Sequence, residues 1–261
     1  MVNNSPTSHA DVNEVLNLLI SNVKEILEEQ FIGMYLFGSL AVGGFDEHSD
    51  VDILIATKDE ISEETFPDLY DMHERISTLD SPWAFQLEVS YIPLGALRRF
   101  DPNNNKHLHL DRGQGEKLKW MHHDSDWIIQ RHIVRERGIT VVGPEPDSLI
   151  DPVSPHDLKW AVRDILNGWI KGFLDDSRML EKRGYQSYTV LTLCRILYTL
   201  RHGDVVSKRV AADWTKLNLD GKWIPLIDRA WEGRQDPGVP TRPRDLDETL
   251  DFIRYTLEGT Q

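Results

Sequence analysis

The chain has 261 residues, enough for one large domain or two ordinary ones with real cores. Its 40% hydrophobic and 28% charged composition fits a globular protein in water, and no run reaches the roughly 18 apolar residues of a membrane span. A formal net charge of −14 argues against a nucleic-acid surface, which needs basic patches, and favours a small cationic substrate drawn to an acidic cleft.

Residues 1–9 are polar, with no apolar signal-peptide core, so a cytoplasmic location is expected. Val12, Leu16, Leu19, Val23, Ile26 and Leu27 recur at helical spacing. Residues 32–37 and 51–55 read as two apolar strands. Between them the chain breaks at Gly38-Ser39 and runs through a loop holding Gly43 and Gly44. A helix follows from Ser62 to about Leu79. Residues 85–92 alternate as a third strand, with Gln86, Glu88 and Ser90 on one side and Leu87, Val89 and Tyr91 on the other. Residues 98–120 show no readable period. His107, His109, His122 and His123 lack the spacing and the cysteine partners of a zinc site. A helix from Asp124 carries Ile128, Ile129 and Ile133 on an apolar side and Arg131, Arg135 and Arg137 on a polar one. Residues 140–142 form a short strand.

Composition then shifts. The turn-rich stretch 147–155 divides an N-terminal domain, 1–150, from a C-terminal domain, 151–261. The second reads as helices throughout: one from Pro155 with Leu158, Ala161, Ile165 and Trp169 on one face, then 188–200, a Ser207-capped helix to Trp214, 224–231 and 245–257. The single cysteine, Cys194, lies in the apolar helix 188–200, so no intramolecular disulfide forms and a reducing compartment fits. The fold class is α+β: a mixed sheet with helices, then an all-α bundle.

The stretch from Tyr35 to Ile55 carries the chemistry. Residues two apart on a strand face the same side, so Asp50 and Asp52 point together. Two such carboxylates repel unless a cation lies between them, and hard oxygen ligands suit Mg²⁺ with substrate phosphates. Gly38 lets a backbone approach a phosphate, and Ser39 adds a hydroxyl and an N–H. A hairpin with a surface acid pair explains the glycines, but not two acids on one face directly after Gly-Ser. Glu88, mid-strand on a polar side, is a third carboxylate or a solvent-facing residue; the pattern leaves both open. Arg195, in an otherwise apolar helix, needs a partner. Lys208 reads as a ligand or an exposed first-turn residue.

Apolar strand, Gly-Ser, spacer and Asp-x-Asp together resemble the signature of the DNA polymerase β-like nucleotidyltransferase superfamily. Val190 to Tyr198 and Gly203 to Trp214 look like the C-terminal domain of the streptomycin/spectinomycin adenylyltransferases, the aminoglycoside 3''/9-type enzymes. The similarity runs from about Gly33 through Trp231. It implies an ATP- and Mg²⁺-dependent enzyme, with two metal ions, that transfers AMP to a hydroxyl of spectinomycin or streptomycin and so gives antibiotic resistance. A monomer is expected. The resemblance makes Glu88 both metal ligand and base, beside the metal ligands Asp50 and Asp52. It places Gly38, Ser39, Ser49, Asp126, Arg195, Lys208 and Trp231 at nucleotide-binding positions. On the drug side Glu181 is retained as an acid, but Tyr185 stands where the family has an aspartate, which puts streptomycin in question. The alternatives are the same chemistry on another metabolite or protein acceptor, and a non-catalytic nucleotide-binding protein.

Overall fold

Val12, Leu16, Leu19, Val23 and Leu27 recur every three or four residues, and in the computed structural model, which describes residues 5–259, they line the buried face of helix α1 (Ala10–Leu27). The first part of the polar opening stretch, 1–4, lies outside the described residues. Residue contacts divide the chain into two compact units, Met1–Pro152 and Val153–Gln261.

In the first unit, α1 is followed by β1 (Phe31–Leu36), α2 (Gly38–Val42), β2 (Val51–Thr57), α3 (Phe66–Ser77), β3 (Leu87–Pro93) and α4 (Leu94–Leu97). Then come β4 (Lys106–Leu110), β5 (Lys119–His122), α5 (Asp126–Arg137), β6 (Ile139–Val142) and α6 (Pro146–Leu149). Among the described residues the strands form one six-stranded sheet, ordered β5-β4-β3-β2-β1-β6. Only β2 and β3 pair in parallel, and α3 makes the crossover that a parallel pair requires.

One face of the sheet carries the alternate residues Val51, Ile53, Ile55, Leu87, Val89 and Tyr91, packed against the apolar faces of α1 and α3. The other face carries Asp52, Leu54, Glu88 and Ser90. There α5 contributes Trp127, whose ring meets Phe37 at 6.3 Å. The acids therefore share their face with a buried apolar layer and lie at the N-terminal ends of β2 and β3, where that layer stops.

The expected mixed sheet followed by helices is observed, with four local differences. Gly38 opens the short helix α2 where a loop was expected. Residues 98–122 contain the strands β4 and β5. Their period was hidden because His107 and His109 take the inward positions normally held by apolar residues, with Leu108 and Leu110 on the opposite face. Arg131 is not on a polar face. It is buried, and its guanidinium donates to the carbonyls of Ala96, Leu97 and Trp127, tying α5 to the end of α4. Trp169 does not share the buried face of its helix, for the reason given next.

The second unit contains α7 (Pro155–Ile165), α8 (Arg183–His202), α9 (Lys208–Asn218), α10 (Ile224–Glu232) and α11 (Pro243–Glu258). Ser154 and Asp157 cap α7 reciprocally. The chain then widens into a π-helical turn, Leu166–Ile170, which shifts the helical phase and leaves Trp169 40% exposed. Helix α8 is the axis of this unit, with α7, α9, α10 and α11 packed on it and Cys194 fully buried within. It ends at Gly203, whose φ of +69° is the left-handed cap conformation that glycine adopts without strain. Ser207 caps α9, its hydroxyl accepting from the Val210 N–H at 3.3 Å. Among the described residues no helix is long and apolar enough to cross a membrane.

Three buried histidines of the first unit are held neutral by desolvation. Burial pushes His73 down to about 3, His107 to about 4 and His123 to about 2, with Arg131 adding to the effect at His107 and His109 adding to it at His123. A histidine of depressed folded pKa costs nothing above about pH 6.5, where both states are neutral. Below it the unfolded chain takes up protons that the fold excludes. Urea midpoints should therefore fall as the pH drops from 7 toward 5. His123→Phe, which keeps a ring stacked on Trp127, should flatten that slope. A midpoint independent of pH over this range would contradict the assignment.

Candidate active site

The parallel register of β2 and β3 places Asp52 directly opposite Glu88, and Ile53 opposite Val89. Val51 N–H donates to Gln86 O at 2.9 Å and keeps the two strand starts level. Asp50, one residue ahead of β2, completes the group. One carboxylate oxygen from each of Asp50, Asp52 and Glu88 lies within 4.8 Å of the others, and all three residues are partly buried. Burial and the charge of Asp50 raise the Glu88 carboxyl above the usual carboxylate range. Arg112 answers part of this charge, its Nη1 at 3.3 Å from Asp50 Oδ2. Three oxygen ligands on one face fit a hard divalent cation such as Mg²⁺, which takes one or two carboxylates together with phosphate oxygens.

The turn from β1 into α2 is built against these acids. Phe37 N–H donates to the Asp52 carbonyl at 3.1 Å. Gly38 follows with φ +57°, and a Cβ built on it would fall inside the Asp52 carboxylate. Glycine is thus required twice, by its backbone angle and by the acid beside it. The Ser39 hydroxyl is enclosed without a hydrogen-bond partner. Ser49 is different. Its hydroxyl donates to Asp46 Oδ1 at 3.0 Å and accepts from the Asp46 N–H at 3.0 Å, closing the turn that delivers Asp50. It holds the acid loop in shape, and its hydroxyl is already engaged.

Beyond Glu88 on the same face lies a network that sequence reasoning missed. Ser90 Oγ and His109 Nδ1 are 2.7 Å apart, His109 Nε2 lies 3.2 Å from Asp111 Oδ1, and Lys119 Nζ donates to Asp111 at 2.6 Å. His109 and Lys119 hold the Asp111 carboxyl far below its ordinary value. The only sequence signal was the alternation His107-Leu108-His109-Leu110. Asp126 opens α5, where burial and the neighbouring Asp124 push its carboxyl up to about 6.

The remaining candidates lie in the second unit. Arg195 sits on α8 with its Nε enclosed and unpartnered. Lys208 is the first residue of α9, its Nζ 5.2 Å from the centre of the Tyr188 ring. The Trp231 ring is approached by two guanidinium groups, Arg209 at 5.0 Å and Arg234 at 4.7 Å, so a base stacking there would meet cations at the same ring. Glu181 is exposed at the end of a 3₁₀ turn, and its carbonyl accepts from Thr241 N–H at 2.7 Å. Tyr185 is 40% exposed in the first turn of α8.

Comparison with known proteins covers both units. The family models "Polymerase beta, Nucleotidyltransferase" and "Aminoglycoside adenylyltransferase, C-terminal domain" match residues 21–90 and 148–258. The chain is 32% identical over 223 residues to a spectinomycin 9-adenylyltransferase of Campylobacter jejuni, covering 83% of each chain. It is 25% identical over 257 residues to an aminoglycoside (3'') (9) adenylyltransferase of Escherichia coli, covering 94% of each. A crystal structure of a spectinomycin adenyltransferase from Enterococcus faecialis with ATP and spectinomycin shares the fold, with a TM-score of 0.70 and 17% identity over 94% of this chain and 98% of that one.

The packing at Gly38 generates a direct test. Gly38→Ala should push the Asp52 carboxylate out of line and weaken Mn²⁺ binding, measured by electron paramagnetic resonance, by about 10–100-fold, the usual cost of disturbing a metal ligand's support. The far-ultraviolet circular dichroism should be unchanged. Wild-type Mn²⁺ affinity in this variant would show that Asp52 does not hold the ion.

Proposed function

Because this chain belongs to the aminoglycoside adenylyltransferase family and is a nucleotidyltransferase, we propose that it transfers AMP from ATP to a hydroxyl of spectinomycin or a closely related amino-sugar drug, with Mg²⁺ bound by Asp50, Asp52 and Glu88. The observation that carries this reading is the acid triad: Asp52 and Glu88 are register partners, and all three carboxylates converge within 4.8 Å.

The bound metal supplies charge neutralisation for the triphosphate and for the departing pyrophosphate. The chain's own groups do the rest. Glu88 accepts the proton of the attacking hydroxyl. The new bond joins that oxygen to the α-phosphorus, the α–β bridging bond breaks, and pyrophosphate leaves with its electron pair. The Gly38–Ser39 turn, with its close backbone and unpartnered hydroxyl, is suited to hold a phosphate oxygen. In the second unit, the family resemblance assigns Arg195 and Lys208 to the nucleotide's phosphates, and their cations suit that role. Asp126 and Trp231 complete the nucleotide side, with Ser49 acting through the Asp50 loop. The net charge of −14 favours a cationic acceptor. Glu181 supplies a carboxylate for it, and Tyr185 removes the second one that streptomycin would call on.

Pyrophosphate release from ATP across a panel of spectinomycin, streptomycin and unrelated amino-sugars tests the reading. Glu88→Gln should still bind ATP, and turnover should fall by about 10²–10⁴-fold, the usual contribution of a positioned general base. In the wild type the rate should fall at acidic pH, because a protonated Glu88 cannot accept the proton of the attacking hydroxyl. The Gln variant should lack that acidic limb. Undiminished turnover by Glu88→Gln would remove the base assignment.

The same panel reads acceptor choice. Spectinomycin should be adenylylated efficiently and streptomycin poorly, because Tyr185 offers no charge for a guanidinium. Equal turnover of both drugs would assign recognition to residues other than Tyr185. Turnover of neither, with ATP still bound, would move the assignment to a different acceptor.

A further inference from the structure

The triad already has a cation of its own. Arg112 lies in the turn between β4 and β5, and its Nη1 is 3.3 Å from Asp50 Oδ2. The backbone on either side is anchored. Asp111 is held by His109 and Lys119, and Gly113 N–H donates to Phe85 O at 2.7 Å. Gly113 and Gly115 have φ values of +128° and +87°, so the turn depends on glycines that flank and follow the arginine. The side chain is not locked in the same way. It is 43% exposed, against 22% for that of Asp50, and an ion pair with one partner so exposed is weak and readily exchanged.

We propose that Arg112 is a phosphate-binding residue with two stations: on Asp50 while the site holds no nucleotide, and on a phosphate of the nucleotide once Mg-ATP is bound. The inference rests on reading Asp50, Asp52 and Glu88 as the metal ligands. Where the ion takes Asp50 Oδ2, the oxygen that Arg112 faces, the two cations compete for it. When the ion arrives, like charge drives the guanidinium off. A phosphate brought with the ion would then offer the guanidinium a new anion, since Mg²⁺ is usually held by carboxylates together with substrate phosphates. The planar fork of arginine matches two phosphate oxygens. The fixed backbone keeps the guanidinium within a side chain's swing of both stations. A surface ion pair without this role would leave nucleotide affinity unchanged.

The test uses the full chain carrying Arg112→Ala, with Arg112→Gln as a second variant in case the alanine form melts lower than wild type. Two affinities are measured without acceptor: Mn²⁺ alone by electron paramagnetic resonance, and Mg-ATP by calorimetry. Loss of Arg112 should make Mn²⁺ bind several-fold more tightly, because a competitor is gone. It should make Mg-ATP bind roughly tenfold more weakly, the size of one charge-assisted hydrogen bond. Arg112→Lys should fall between wild type and alanine in both. These opposite signs are what a merely structural role would not produce. Unchanged or weaker Mn²⁺ binding, or unchanged Mg-ATP binding, overturns the proposal. Asp52→Asn, measured alongside, separates the two levels. Loss of Mn²⁺ binding there upholds the metal ligands whatever Arg112 does, and undiminished binding there removes the premise instead.

Discussion

The site depends on a repulsion. Parallel pairing of β2 and β3 sets Asp52 against Glu88, and the turn closed by Ser49 and Asp46 brings Asp50 alongside. Three carboxylates this close and partly buried are unfavourable by themselves: burial first, and then the charge of Asp50, raise the Glu88 carboxyl. The rest of the first unit can be understood as structure that holds this arrangement in place. Both faces of the sheet are packed, so the strands cannot slip to separate the acids. A one-residue slip would carry Val51 and Ile53 out of the core against α1 and α3.

Relief is supplied in graded ways. Arg112 neutralises Asp50 from an exposed turn, where its charge is removable. Gly38 gives up a side chain so that the Asp52 carboxylate has room. Further along the same face the polar groups are paired among themselves. Ser90, His109, Asp111 and Lys119 form a closed chain of contacts, and the desolvated His107 and His123 stay neutral beside it. Acidic charge thus converges at the strand starts, while the charges a few residues on are paired with one another.

In the second unit the polar groups follow the same logic at lower density. Arg195 leaves an enclosed Nε without a partner on the helix around which the unit is built. Lys208 is presented at the first turn of α9 by the Ser207 cap, beside the ring of Tyr188.

The elements with strong local signals were legible in the chain itself. The apolar period of α1, the strands on either side of Gly38-Ser39, the alternation around Glu88 and the capped helices after residue 154 all follow from residue spacing, because each element buries one face and must mark it. Asp50 and Asp52 were legible for the same reason, since a strand's period of two fixes which side they share. What spacing left open was what Glu88 faces, and the β2–β3 register sets it opposite Asp52. Spacing also gave no account of β4 and β5, where histidines occupy buried positions. It put Arg131 on a polar face, although backbone carbonyls of α4 and α5 satisfy it inside, and it left the pairing of Arg112 with Asp50 unseen. Each of these is set by a partner distant in sequence. Local periodicity records which way a side chain points, and only the tertiary structure decides what it meets there.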